Sequence, residues 1–160
     1  MTRAEMDWEP YDRHWIRLRG PWEVCWLNEA APQPAARVKL PTTWTSLFGD
    51  RPGTARFSRR FQAPARLDPE ERVCVTLLDA GGEVRCRIND ILVPPLPAPL
   101  GDPSCWPHER CLSFDVTDLL RPSNRLTLDI TVDDAANAHA GLHLPVLLEI
   151  VTLDEDDAAG

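Results

Sequence analysis

The run Ser113-Phe114-Asp115-Val116-Thr117-Asp118-Leu119-Leu120-Arg121-Pro122-Ser123-Asn124-Arg125-Leu126-Thr127-Leu128-Asp129-Ile130-Thr131-Val132 reads as strand, turn, strand. From Asn124 to Asp133, Leu126, Leu128, Ile130 and Val132 face one way, and Arg125, Thr127, Asp129 and Thr131 the other. That strict period of two is the signature of a half-buried strand. Upstream, Leu112, Phe114 and Val116 alternate with Ser113 and Asp115 in the same way. Between them, Thr117–Leu120 is long enough for one helical turn, with Asp115 or Thr117 as cap and Pro122 as stop.

Working outward, Val84, Cys86 and Ile88 alternate with Arg85 and Arg87, whereas Phe57, Arg59 and Phe61 share a face, so that strand is less regular. Further strands are expected at Trp15–Leu18, Trp22–Leu27, Ala36–Leu40, Val73–Leu78, Ile91–Val93 and Val146–Thr152. The total is about ten short strands, separated by turn chemistry such as Gly81-Gly82, Asn89-Asp90 and Pro122-Ser123-Asn124. One-sided strands with this punctuation point to an all-β fold, a β-sandwich or jelly roll. Helix is confined to single turns, the other being Thr43–Phe48. Pro94–His108, with six prolines, reads as a long surface loop, and Asp133–His139 as a second loop.

At 160 residues the chain has the length of one domain. We read residues 1–13 as an N-terminal extension, 14–153 as the sandwich and 154–160 as an acidic tail. The net charge of −8 argues against nucleic acid or an anionic membrane as partner. No window approaches the roughly 18 apolar residues of a membrane span. Five cysteines and no apolar N-terminal stretch imply reduced thiols and a cytoplasmic location. Cys74 and Cys86 fall in strand patterns and are expected in the core.

The order of motifs resembles the N-terminal sugar-binding domain of glycoside hydrolase family 2, the group of β-galactosidases, β-glucuronidases and β-mannosidases. Leu18-Arg19-Gly20-Pro21-Trp22-Glu23-Val24 is similar to the family's opening strand, and Leu40-Pro41-Thr42-Thr43-Trp44 to its "P-x-x-W" segment. Gly53 through Arg59-Arg60-Phe61-Gln62-Ala63-Pro64 resembles the "Y-R-R-x-F-x-x-P" strand, with Phe57 in place of Tyr, and Glu83 to Asp90 the "a-x-V-w-L-N-G" hairpin. Phe114 to Leu126 matches "F-D-V-T-x-L-L-x-x-G-x-N-x-L", and Gly141 to Leu148 resembles the closing "G-I-x-R-x-V-x-L", with Leu144 in place of its Arg. The resemblance covers about Trp15 to Leu153. It implies a galactose-binding-like jelly roll, with Trp22 and Trp44 in the core. It also implies a non-catalytic role, because the family's catalytic residues lie in a separate barrel to which nothing in this sequence corresponds. No catalytic residue and no cofactor are assigned.

Carbohydrate is the implied ligand. The Pro-rich loop carries a kit suited to it: Trp106 as a platform for the apolar face of a sugar ring, and Asp102, His108, Glu109 and Arg110 for the hydroxyls. The alternatives are an interaction module docking on a partner chain, such as a separately encoded hydrolase, and an inert fragment of a family 2 hydrolase. Cys105, His108 and Cys111 are three zinc-type ligands without a fourth, so no metal is assigned. Asp79, Asp115, Asp118, Asp133 and Asp134 form no contiguous calcium loop. His139 and His143 flank Gly141 with no nucleophile motif nearby. Arg56, Arg59, Arg60, Arg85 and Arg87 read as solvated charge paired with acids.

Overall fold

The computed structural model describes residues 13–27, 36–97, 100, 111–135, 137, 139–142 and 144–153. The described strands are β1 (Arg13–Arg17), β2 (Trp22–Trp26), β3 (Ala36–Val38), β4 (Gly53–Gln62), β5 (Glu71–Leu77), β6 (Glu83–Ile88), β7 (Ile91–Val93), β8 (Leu112–Asp115), β9 (Ser123–Val132) and β10 (Val146–Thr152). They form two antiparallel sheets, a four-stranded one ordered β1-β10-β5-β8 and a six-stranded one ordered β3-β2-β4-β9-β6-β7. The inner faces pack together as a β-sandwich, in the fold class expected from the alternation.

The inward rows follow the sequence pattern. Leu126, Leu128, Ile130 and Val132 of β9 meet Val73, Val75 and Leu77 of β5, with Phe57, Phe114, Trp22 and Trp44 in the same core. Trp22 and Trp44 are essentially inaccessible, as expected, and each indole finds a carbonyl: Trp22 Nε1 donates to Leu18 O at 2.7 Å, and Trp44 Nε1 to Arg51 O at 2.8 Å. An aromatic ring with a polar atom buries well only when that atom is satisfied. Cys74 and Cys86 are buried, and burial pushes the Cys86 thiol up to about 12.

Two expectations need correction. The strands are not uniformly short, since β4 runs ten residues and pairs along its whole length with β9, the long strand read from the sequence. Nor are they all one-sided. Cys74, Thr76, Leu147, Glu149 and Val151 lie on the outward row of the four-stranded sheet, yet all are buried. The apolar runs Val73–Leu78 and Val146–Val151 reflect burial on both faces.

The local turns form where the residues call for them, except that the second has Val116 at its N-cap, without a side-chain cap bond, instead of Asp115 or Thr117. Thr43 caps α1 (Trp44–Phe48), its hydroxyl accepting from Ser46 N at 3.2 Å. A 3-10 turn spans Thr117–Leu119. Asp115 Oδ1 accepts from the Thr117 amide at 3.1 Å, and Thr117 Oγ1 accepts from Val73 N at 2.8 Å, which ties the turn to β5. In the β6–β7 hairpin, Asn89 and Asp90 take φ of 51° and 69°, the left-handed values of a two-residue hairpin turn. Asn89 Oδ1 accepts from Arg125 N at 2.9 Å, and its Nδ2 donates to buried Asn124 at 3.0 Å. This pair couples the hairpin to β9.

On the outward face of the six-stranded sheet, Asp129 receives Arg56 in a two-pronged contact at 2.8 and 3.0 Å and Arg87 at 2.8 Å. Burial alone would raise the Asp129 carboxyl. The hydrogen bonds and charges of Arg56 and Arg87 outweigh it and hold the group below its usual value. A depressed carboxyl stabilises the fold above its unfolded pKa, and that contribution is lost as pH falls through the folded pKa. Asp129→Asn is therefore expected to cost about 2 kcal/mol at neutral pH, reduced toward 1 because Arg56 is partly solvated. The difference from wild type should shrink in acid, as read from urea melts across the carboxylate range. A gap that is unchanged at low pH would sink this account.

Candidate functional site

The predicted contacts Asp102, Trp106, His108, Glu109 and Arg110 lie outside the described residues, as does Cys105. What is described is how their loop is anchored. It leaves β7, an edge of the six-stranded sheet, and returns at β8, an edge of the four-stranded sheet. Leu96 N donates to Ser113 O at 2.8 Å, and Cys111 is buried at the return.

A pocket of about 320 Å³ opens at one end of the sandwich. Gly81-Gly82-Glu83, from the β5–β6 turn, forms one wall; Thr131 to Asp134 with Asn137, His139 and Ala140, following β9, form the other. The two walls are held by a reciprocal backbone pair, Gly141 N to Gly81 O at 2.8 Å and Gly81 N to Gly141 O at 3.3 Å. Asn137 Oδ1 accepts from His139 N at 2.8 Å, and His139 Nδ1 lies 3.5 Å from the carboxylate of buried Asp79. Beneath the loop, Trp44 packs against Trp26 and Phe48 with ring centroids 5.9 and 4.7 Å away, and Arg51 lies over Trp26 at 4.7 Å. The pocket presents carboxylates, a side-chain amide and an imidazole, all suited to hydrogen-bonding hydroxyl groups.

In the sequence, Gly81-Gly82 is a turn between strands and Asp133–His139 a separate loop. Only the β6–β9 register, which pairs Glu83 with Thr131, brings them together. His143 lies outside the described residues, so its pairing with His139 is not placed. Among the described residues, no three His, Cys, Asp or Glu side chains gather as a metal site. Asp115 and Asp118 are both turned to Arg72, at 2.9 and 3.2 Å, instead of to a shared centre with Asp133 and Asp134.

A second concavity, of about 330 Å³, lies on the six-stranded sheet among Glu23, Arg37, Ser58, Arg59, Arg60 and Arg125. The expected arginine row is divided here. Arg56 and Arg87 pair with Asp129, whereas Arg59 shares the inward parity of Phe57 and Phe61. Its Nη1 is buried without a hydrogen-bond partner, and burial lowers the guanidinium from its usual value.

No protein-family model matches the sequence, and no curated protein matches it. Solved structures do. A β-glucuronidase from Faecalibacterium prausnitzii L2-6, described as FMN-binding, matches with a TM-score of 0.69 and 23% identity over 88% of this chain and 23% of its own. The Bifidobacterium dentium β-glucuronidase complexed with coumarin-3-O-glucuronide matches at 0.65 and 19%, over 91% of this chain and 31% of its own. The Ruminococcus gnavus enzyme in complex with D-glucuronic acid matches at 0.67 and 12%, over 89% and 30%. The chain has the fold of one β-sandwich part of these β-glucuronidases and spans less than a third of their length.

Proposed function

We propose that the chain is a non-catalytic module of jelly-roll type, akin to the sugar-binding domains of glycoside hydrolases, and that it binds carbohydrate. The observation that carries this reading is the shared fold with a small part of several β-glucuronidases, a part too short to hold a whole hydrolase. The proposed contacts are Trp106 for the face of the ring and Asp102, His108, Glu109 and Arg110 for the hydroxyls. The loop-end pocket around Glu83, Asn137 and His139 is the other position with the right chemistry.

The test is an NMR titration with mono- and oligosaccharides, following the six Trp indoles and the backbone amides. Saturable shifts at the Trp106 indole and amides 102–111 are expected. Shifts confined to Glu83 and Thr131–Ala140 would keep carbohydrate and move it to the loop-end pocket. No saturable shift with any sugar would overturn the reading. A docking module for a partner chain, such as a separately encoded hydrolase, would then take its place. That second reading draws on Ile91 and Leu92, 46% and 58% exposed on the edge strand β7.

A further inference from the structure

We infer that the cleft among Glu23, Arg37, Ser58, Arg59, Arg60 and Arg125 is a binding site for an oxyanion group, a carboxylate, sulfate or phosphate carried by a ligand. This goes beyond the carbohydrate reading and stands on different residues.

The strand register builds the cleft. Arg37, Glu23 and Ser58 lie in one row across β3, β2 and β4. Arg60 and Arg125 face each other directly in the next outward row, across β4 and β9. Pairing between β2 and β4 ends at Glu23–Ser58, so Arg59 and Arg60 extend beyond the end of β2 and beside Pro21. Four arginines and one glutamate therefore line the cleft in a protein whose net charge is −8.

Two features distinguish this cleft from ordinary solvated charge. Like charges directly opposite on neighbouring strands repel, and Arg60 and Arg125 are so placed. Glu23 offsets little of this, since among the described residues it reaches only Arg125, at 3.8 Å, with both side chains about half exposed. Among the described residues, Arg37, Arg59 and Arg60 have no carboxylate partner within ion-pair distance. Planar guanidinium forks match the oxygens of carboxylates, sulfates and phosphates.

The experiment follows the arginine Nε–Hε signals and the amides of residues 23, 37, 58–60 and 125 in the full chain. Sodium sulfate, inorganic phosphate and sodium acetate are titrated in separate arms at constant ionic strength, with chloride as the balance. Saturable shifts confined to the cleft are expected, together with a rise in melting temperature at saturation. Tighter binding of sulfate and phosphate would identify a tetrahedral group, and tighter binding of acetate a carboxylate; either supports the site. Arg60→Gln, an exposed position with little risk to folding, should weaken binding about tenfold or more. Arg85→Gln, exposed and outside the cleft, should leave it unchanged. Shifts that follow ionic strength alone, that spread over all arginines, or that survive Arg60→Gln would overturn the inference.

Discussion

Trp44→Ala is expected to lower folding stability by about 3–5 kcal/mol, the range for removing a fully buried aromatic side chain. Three separate losses combine. The ring is 1% exposed, so almost all of its apolar surface is withdrawn from water. It is tilted against both Trp26 and Phe48, and its removal leaves those rings facing a void. Its indole also satisfies Arg51 O, which sits in the turn that joins α1 to β4. Trp44→Phe separates the terms, because it keeps most of the ring volume but drops the hydrogen bond. It should cost about 1–2 kcal/mol. The readout is the urea midpoint at constant slope. A Trp44→Ala cost below about 1 kcal/mol would mean that the aromatic cluster is not part of the cooperative core.

Gly81→Ala should be the most damaging small substitution at the loop end. A methyl group at Gly81 would overlap the carbonyl oxygen of His139, and the atoms in its way are backbone, which cannot swing aside. Residues 139–141 must retreat, and the reciprocal pair between Gly81 and Gly141 opens. The expected cost is about 2–3 kcal/mol, at the upper end for overpacking. Gly49→Ala is the control. Its φ of 67° also disfavours a side chain, but open space surrounds it, so the cost should stay near 1 kcal/mol. Amide exchange gives the local reading: the Gly141 amide should exchange far faster in Gly81→Ala and not in Gly49→Ala. Equal protection of Gly141 in both variants would contradict the steric account.

How much of this was legible depended on whether a pattern was local. The alternation in Asn124–Val132 names the inward row of β9 residue by residue, and the core contains that row. The Asn89-Asp90 turn and the single helical turn at Thr43–Phe48 were legible for the same reason, since each depends on residues within a few positions. Burial on the outward row of β5 and β10 was not, because a strand covered on both faces loses its alternation. The uninterrupted Val-Cys-Val and Val-Leu-Leu runs were the available signal. Arg59 was visible as an irregularity in an otherwise apolar row, but its orphaned donor depends on where β2 ends. Both concavities are assembled by register between strands remote in sequence, and spacing along one chain carries no trace of that.

The pairing of β1 with β10 has a consequence for how the chain assembles during synthesis. All six strands of the larger sheet lie between Trp22 and Val132, so that layer can close while the last strand is still in the ribosome. The smaller sheet cannot. Among the described strands β1 is the first to be made, but its hydrogen-bonding neighbour is the last of them, β10, which also supplies one side of β5. Until Val146–Thr152 emerges, β5 presents an open apolar edge and β1 has no partner among the described strands. A nascent or truncated chain that stops short of Val146 would thus expose an unpaired strand edge, the kind that recruits other chains and leads to aggregation.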